Sequence, residues 1–180
     1  TQGVSSAASD VYKRQGVDPY YLVHKAKELQ YHTKMINSGR YVNDSMGRYI
    51  GKKVVKKIIS QGKNILGAHV LVMGMTFKEN VSDIRNSKVA DIINEFKDFG
   101  AEVDVMDPFA SPLEVLQEYG IRLVERPGKK YDAVVVAVAH TTYLKLDESY
   151  FMSITNEHAV LADVKGVYRG SIHQMIYWSL

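Results

Sequence analysis

The sequence predicts an α/β protein, a doubly wound and mostly parallel sheet preceded by a long helix. Three observations predict it. Residues Ala133 to Ala139 (AVVVAVA) are apolar at every position, as a central parallel strand buried on both faces must be. From Ala68 onward a unit of short apolar run, loop and amphipathic stretch recurs along the chain. The charge balance changes at the same place. Up to Gly67 twelve Lys and Arg face four Asp and Glu, a net of +8; from Ala68 eleven face sixteen, a net of −5, so the two parts differ in what they can bind.

Taken in order, residues 1–15 are small, polar and aperiodic, with Ser5, Ser6 and Ser9 and no apolar face, and read as a disordered tail. Asp18 offers an N-cap and Pro19 a first helical position, and Tyr20, Leu22, Val23, Ala26 and Leu29 continue a helix of about three turns. A longer helix is expected from Val42 to Ser60, capped by Asn43 or Asp44, with Met46, Tyr49, Ile50, Val54, Ile58 and Ile59 as its apolar stripe. That stripe suits a connector or a dimer interface. The opposite face carries Arg48, Lys52, Lys53, Lys56 and Lys57. These alternate with apolar residues at helical spacing and lack clustered aromatics, the pattern of a solvated face and not of a nucleic-acid site.

In the second part His69 to Gly74 reads as a strand, Val89, Ile92, Ile93 and Phe96 mark a helix that stops at Gly100, and Glu102 to Met106 form a strand ending at Asp107-Pro108. A helix over Pro112 to Tyr119, a short strand over Ile121 to Val124 and the central strand follow. A helix near Ser149 to Ile154 and a strand from Ala159 to Ala162, ending at Asp163, complete the sheet.

With 46% hydrophobic and 24% charged residues over 180 positions, the chain can bury a core of ordinary size. No run approaches the roughly 18 apolar residues of a membrane span, and the first thirty residues lack an apolar signal core, which argues for a cytoplasmic protein. The absence of cysteine rules out disulfides, thiolate metal sites and a cysteine nucleophile within these residues. His24, His32, His69, His158 and His173 show no metal-ligand spacing, so no metal is expected.

Ligands of open α/β sheets bind beyond the carboxyl ends of the strands. After the first strand the chain reads Gly74-Met75-Thr76-Phe77-Lys78, then Glu79-Asn80-Val81-Ser82-Asp83-Ile84-Arg85. One glycine stands where a dinucleotide fingerprint needs three, so an independent NAD site is not supported, and no Walker loop is present. Lys78 and Arg85 flank Asp83 before a helix N-terminus, an arrangement that fits a phosphate; the alternative is surface pairing with Glu79 and Asp83. Asp107 fits either a ribose hydroxyl or a strand-ending turn, and His140 either donates to a ligand or is solvated.

Five motifs occur in order: Gly16-Val17-Asp18-Pro19-Tyr20-Tyr21-Leu22; Gly39-Arg40-Tyr41-Val42-Asn43-Asp44-Ser45-Met46; Gly74 to Asn80 with Asp83-Ile84-Arg85-Asn86; Asp107-Pro108; and Asp163-Val164-Lys165-Gly166. Together they resemble the UDP-glucose/GDP-mannose dehydrogenase family from its central helical region to its C-terminus. Their form is closest to the bacterial UDP-N-acetylhexosamine 6-dehydrogenase branch of polysaccharide biosynthesis.

The resemblance implies a Rossmann-like UDP-binding domain over 68–180, a central helical dimerisation region over 16–67, and a disordered or foreign tail over 1–15. It implies oxidation of the C6 alcohol of a UDP-sugar to a carboxylate by two hydride transfers to NAD, through a cysteine-bound thiohemiacetal and thioester. In the family the cysteine stands four residues before the aspartate matching Asp18. Here that position is Arg14, and NAD would be bound mainly by an N-terminal domain outside these residues, so the chain is expected to be inactive alone. By the same resemblance Asp18 helps to activate the hydrolytic water, Phe77, Lys78 and Lys165 contact the nucleotide sugar, Arg85 reaches the cofactor phosphates, and the partner is a second copy paired through the central helix. Arg40, Asn43 and Asp44 mark that helix's start. The rival reading is a non-catalytic UDP-sugar-binding or dimerisation module.

Overall fold

A computed structural model of the chain describes residues 18–180, with side chains from Tyr21 onward. The expectations for residues 1–15, and for Arg14 within them, lie outside the described residues. The chain divides into two compact units between Ser45 and Met46.

In the first unit α1 (Asp18–Glu28) ends where Gln30 turns left-handed at φ 56° and the Tyr31 N–H reaches back to the Ala26 carbonyl at 2.8 Å. The next helix, α2 (Lys34–Ser60), begins eight residues before the expected Val42. Arg40, Asn43 and Asp44 therefore lie inside it and do not cap its start. The reason is physical: residues 34–42 bury no apolar face, and Met35, Tyr41 and Val42 are exposed, so no periodic stripe announces the helix there.

The second unit holds the rest of α2 and a five-stranded parallel sheet: β1 (His69–Met73), β2 (Glu102–Met106), β3 (Tyr131–Val136), β4 (Thr155–Asp163) and β5 (Ile176–Ser179), in the order β2-β1-β3-β4-β5. Three further helices cover it: α3 (Val89–Asp98), α4 (Pro112–Tyr119) and α5 (Glu148–Ile154). The sheet separates two apolar layers. On one side Val70, Val72, Ala133 and Val135 pack with α2, α3 and α4 through Ile50, Val54, Ile93, Phe96 and Val115. On the other, Leu71, Met73, Val134 and Val136 meet Tyr143, Phe151 and Tyr168. The sheet is thus doubly wound, as the sequence predicts.

The α2 stripe is accounted for by this packing. Ile50, Val54 and Ile58 are buried within the unit, and α2 lies against α3 so closely that a Cβ at Gly47 would fall 2.9 Å from the Lys88 carbonyl oxygen. At Gly51 a Cβ would fall 2.8 Å from the Cβ of Glu95. Of the row Met46, Ile50, Val54 and Ile58, the last three are turned to their own domain and Met46 is half-buried; Tyr49 and Ile59 remain on the exposed side.

Four strand expectations change, the first being β4, which begins at Thr155 and not at Ala159. The segment 121–124 makes only one isolated parallel bridge, Leu123 to Val105, with the Val124 N–H on the Val105 carbonyl at 2.8 Å. The apolar run to Ala139 overshoots β3, because the N–H groups of Ala137 and Val138 both turn to the Met73 carbonyl; residues 137–139 are apolar as a buried loop. β5 is an unpredicted four-residue edge strand of intermediate burial.

Candidate functional site

Because all five strands are parallel, their carboxyl ends share one edge of the sheet. The chain leaves β1 toward β2 on one side and returns to β3 on the other, so the strand order reverses between β1 and β3. Gly74 begins the turn there at φ 95°, and a Cβ on it would lie 2.5 Å from the Cβ of Val138 and 2.8 Å from its nitrogen. Only glycine lets the two loops approach this closely.

The turn after Gly74 presents Phe77, half exposed, and Lys78, exposed. Its closure comes from the Phe77 N–H on the Asp83 carbonyl at 2.7 Å. The Lys78 ammonium makes no hydrogen bond or ion pair with the described residues, and acts on Asp83 only through space. Arg85 folds onto Asp83, its Nε 2.9 Å from Oδ1 and its Nη2 2.8 Å from Oδ2, and this contact holds the Asp83 carboxyl below its ordinary range against partial burial. Of the two pairings expected from spacing, the one with Asp83 forms. Glu79 pairs instead with Lys165, at 3.2 Å.

That ion pair brings the turn after β4 beside the turn after β1. Asp163, the last residue of β4, is fully buried; its Oδ1 accepts the Gly166 N–H at 2.9 Å, and its Oδ2 accepts the Tyr168 N–H at 2.7 Å and the Tyr177 hydroxyl at 2.8 Å. These bonds shape the turn that carries Lys165. Phe77, Lys78 and Lys165 therefore stand on one edge, Arg85 stands farther along the first turn, and Asp18 is the first residue of α1, its side chain outside the described residues.

Asp107 makes the strand-ending turn and not a ribose contact, and His140 serves neither of the roles the sequence left open. The Asp107 Oδ2 accepts the N–H groups of Met75 at 2.6 Å and Thr76 at 3.0 Å, and Oδ1 those of Phe109 at 2.7 Å and Ala110 at 2.9 Å. Burial opposes its ionisation, but the His140 bond and these N–H groups outweigh it and hold the carboxyl well below the ordinary range. No oxygen is left for a ribose. His140 is fully buried and not solvated; its Nδ1 accepts the Asn80 N–H at 3.0 Å, so the ring proton sits on Nε2, 3.0 Å from the Asp107 Oδ2 and 3.2 Å from the Thr76 Oγ1. An acid, an imidazole and a hydroxyl in contact suggest a nucleophile relay. Here carboxylate and hydroxyl share one ring nitrogen, the Thr76 hydroxyl donates to the Lys78 carbonyl, and all are closed from substrate, so the cluster is architectural.

The helix terminus expected to help bind phosphate is also occupied. Val89 and Ala90 are buried, the Val89 N–H is directed to the Ser87 Oγ at 3.3 Å, and the Tyr119 hydroxyl holds the preceding loop by donating to the Ile84 carbonyl at 2.6 Å. The turn after β1 has one glycine where a dinucleotide fingerprint needs three, and the helix terminus that follows it is covered. Among the described residues no group of three or more His, Asp or Glu could hold a metal, and no helix is long and apolar enough to cross a membrane. Neither of two clefts, of about 440 Å³ beside Lys63 and Asp132 and about 430 Å³ beside Asp83 and Glu114, is lined by Phe77 or Lys78.

A parallel α/β domain with cationic side chains at its strand-order reversal is of the nucleotide-binding, Rossmann-like class. Residues 71–170 match the UDP-binding domain of the UDP-glucose/GDP-mannose dehydrogenase family, and the chain belongs to that family. It is 42% identical over 151 residues to a UDP-N-acetyl-D-glucosamine 6-dehydrogenase of Pseudomonas aeruginosa, and 40% identical over 153 residues to one of Salmonella typhi. These alignments cover 83% and 84% of this chain but only 36% of each relative. Among solved structures, a UDP-N-acetyl-mannosamine dehydrogenase of S. aureus superposes with a TM-score of 0.69 at 26% identity, over 91% of this chain and 36% of that one. An NDP-N-acetyl-D-galactosaminuronic acid dehydrogenase of Methanosarcina mazei shares the fold, with a TM-score of 0.77 at 21% identity over 90% of this chain and 36% of that one.

Proposed function

We propose that the chain supplies the nucleotide-sugar-binding part of an NAD-dependent UDP-sugar 6-dehydrogenase, acting on a UDP-hexose or UDP-N-acetylhexosamine for polysaccharide biosynthesis in the cytoplasm. The observation that carries this reading is the Lys78 ammonium beside Phe77, unpaired among the described residues, at the strand-order reversal of a domain of the UDP-binding family. A point charge there suits the diphosphate, and the half-exposed Phe77 ring offers an apolar cover for the nucleoside. Lys165 joins them by releasing Glu79; Arg85 extends toward the cofactor phosphates when the Asp83 pair opens; Asp18 assists hydrolysis of the acyl intermediate.

Residues 16–67 form the dimerisation region and 68–180 the binding domain in this reading. With Ile50, Val54 and Ile58 buried, pairing of two copies through α2 falls to Met35, Tyr41, Val42 and Tyr49, which stay exposed. The lack of any cysteine favours binding without turnover as the property of the chain alone.

A chemical-shift titration of the chain with UDP tests this. Shifts are expected at residues 74–80 and 164–168 and not around Lys63 and Asn156 at the opposite edge, with no NADH formed when UDP-N-acetylglucosamine and NAD are supplied. Shifts confined to the opposite edge, or steady NADH production, contradict the proposal.

A further inference from the structure

The geometry points to His140 as the positioning residue of the nucleotide-sugar contact segment, a role that rests on the reading of Phe77 and Lys78 as ligand contacts. The segment 77–79 has little packing of its own, since Phe77 is half exposed and Lys78 exposed. Besides the Phe77 N–H bond to the Asp83 carbonyl and the Glu79–Lys165 pair, one imidazole holds the residue on either side of it. Nδ1 of His140 accepts the N–H of Asn80, which follows the segment, and Nε2 faces the hydroxyl of Thr76, which precedes it. Thr76 passes the constraint inward by donating its own proton to the Lys78 carbonyl at 3.0 Å. Asn80 adopts φ 57°, and its Oδ1 accepts both the N–H and the hydroxyl of Thr141, each at 3.0 Å.

The ring is itself immobilised. Phe109 lies tilted against it at 4.8 Å between centroids, Tyr143 meets it edge-on at 5.5 Å, and Asp107 accepts the Nε2–H hydrogen bond. Residues following three strands, β1, β2 and β3, thus converge on one side chain. A segment held this way presents Lys78 without an ordering penalty at the moment of binding, which is how a contact remote from the ligand raises affinity. Only the Nε2–H tautomer satisfies the pattern, because a backbone N–H can only donate to Nδ1.

Amide hydrogen exchange of the full chain, together with UDP calorimetry, decides the matter. The Asn80 amide lies in an exposed turn, yet it is expected to exchange at least about tenfold more slowly than an unstructured amide, and the imidazole 15N signals to show Nε2–H. His140→Gln, which keeps a donor toward Asp107 but loses the acceptor toward Asn80, is expected to abolish that protection and to weaken UDP binding about tenfold. His140→Asn, which keeps an acceptor near the Nδ1 position, is expected to retain both within about threefold.

Free exchange of Asn80 in the unaltered chain, an Nδ1–H tautomer, or unchanged UDP affinity in a folded His140→Gln chain overturns the role. Should His140→Gln fail to fold, exchange and tautomer in the unaltered chain still decide. Should the unaltered chain not bind UDP, the ligand reading fails, and Asn80 exchange separately decides whether His140 fixes the segment.

Discussion

Replacing Asp107 by alanine is expected to destabilise the chain by about 3–5 kcal/mol, the range for stripping one partner from a buried, hydrogen-bonded ion site. Four backbone N–H groups, of Met75, Thr76, Phe109 and Ala110, and the Nε2–H of His140 all end on this one carboxylate. Alanine leaves them without an acceptor at the place where the loops after β1, β2 and β3 meet. Urea unfolding monitored by circular dichroism reads the loss. A loss under about 1 kcal/mol would mean that water or another group takes over the five donors.

The same carboxylate gives a pH signature. Its folded-state pKa is depressed, so its contribution is complete above the unfolded carboxyl value of about 4 and is lost as pH falls through that value toward the folded one. The stability difference between the unaltered chain and Asp107→Asn should therefore be constant above about pH 5 and narrow steadily from there to pH 2. A difference independent of pH would show that the carboxylate's charge is not what the site uses.

Gly74→Ala is the second large expectation, a destabilisation of about 2–5 kcal/mol. Two penalties coincide: φ at 95° disfavours any side chain, and the added Cβ would meet Val138 at 2.5 Å, against atoms at or next to the backbone that cannot swing away. Either loop must move, and the moving parts carry Phe77 and Lys78 on one side and His140 on the other. The measured result should be a lowered unfolding midpoint accompanied by weaker UDP binding. Wild-type stability would contradict the close approach of the two loops.

The elements that sequence reasoning located best are those with local punctuation. β1, α3, β2 and α4 are bounded by Gly74, Gly100, Asp107-Pro108, the Ser111-Pro112 start and Gly120, each a backbone constraint readable without tertiary contacts. The start of α2 was illegible because its first turns bury nothing, and β3 was displaced because residues 137–139 are apolar for burial in a loop and not for strand pairing. At the site, Phe77, Lys78 and Lys165 are named by motif. The parallel sheet brings them to one edge, where the Glu79–Lys165 pair joins turns after β1 and β4, which are not neighbours in the sheet. The His140 cluster needed the ends of three strands to be placed together, although a histidine closing the central apolar run and an aspartate closing β2 are the signals that could have suggested it.

Calorimetric titration of UDP into the chain and two lysine variants tests whether the edge at Phe77 and Lys78 binds a uridine diphosphate. The unaltered chain is expected to bind weakly, with Kd in the range of about 0.1–1 mM. Lys78→Ala should lose about 1.5–3 kcal/mol, the worth of a charge-assisted hydrogen bond. Lys130→Ala should bind as the unaltered chain does, because Lys130 precedes β3 at the opposite end of the strands and donates to the Ser153 carbonyl. No UDP binding by the unaltered chain, or equal losses for the two lysines, would contradict the claim.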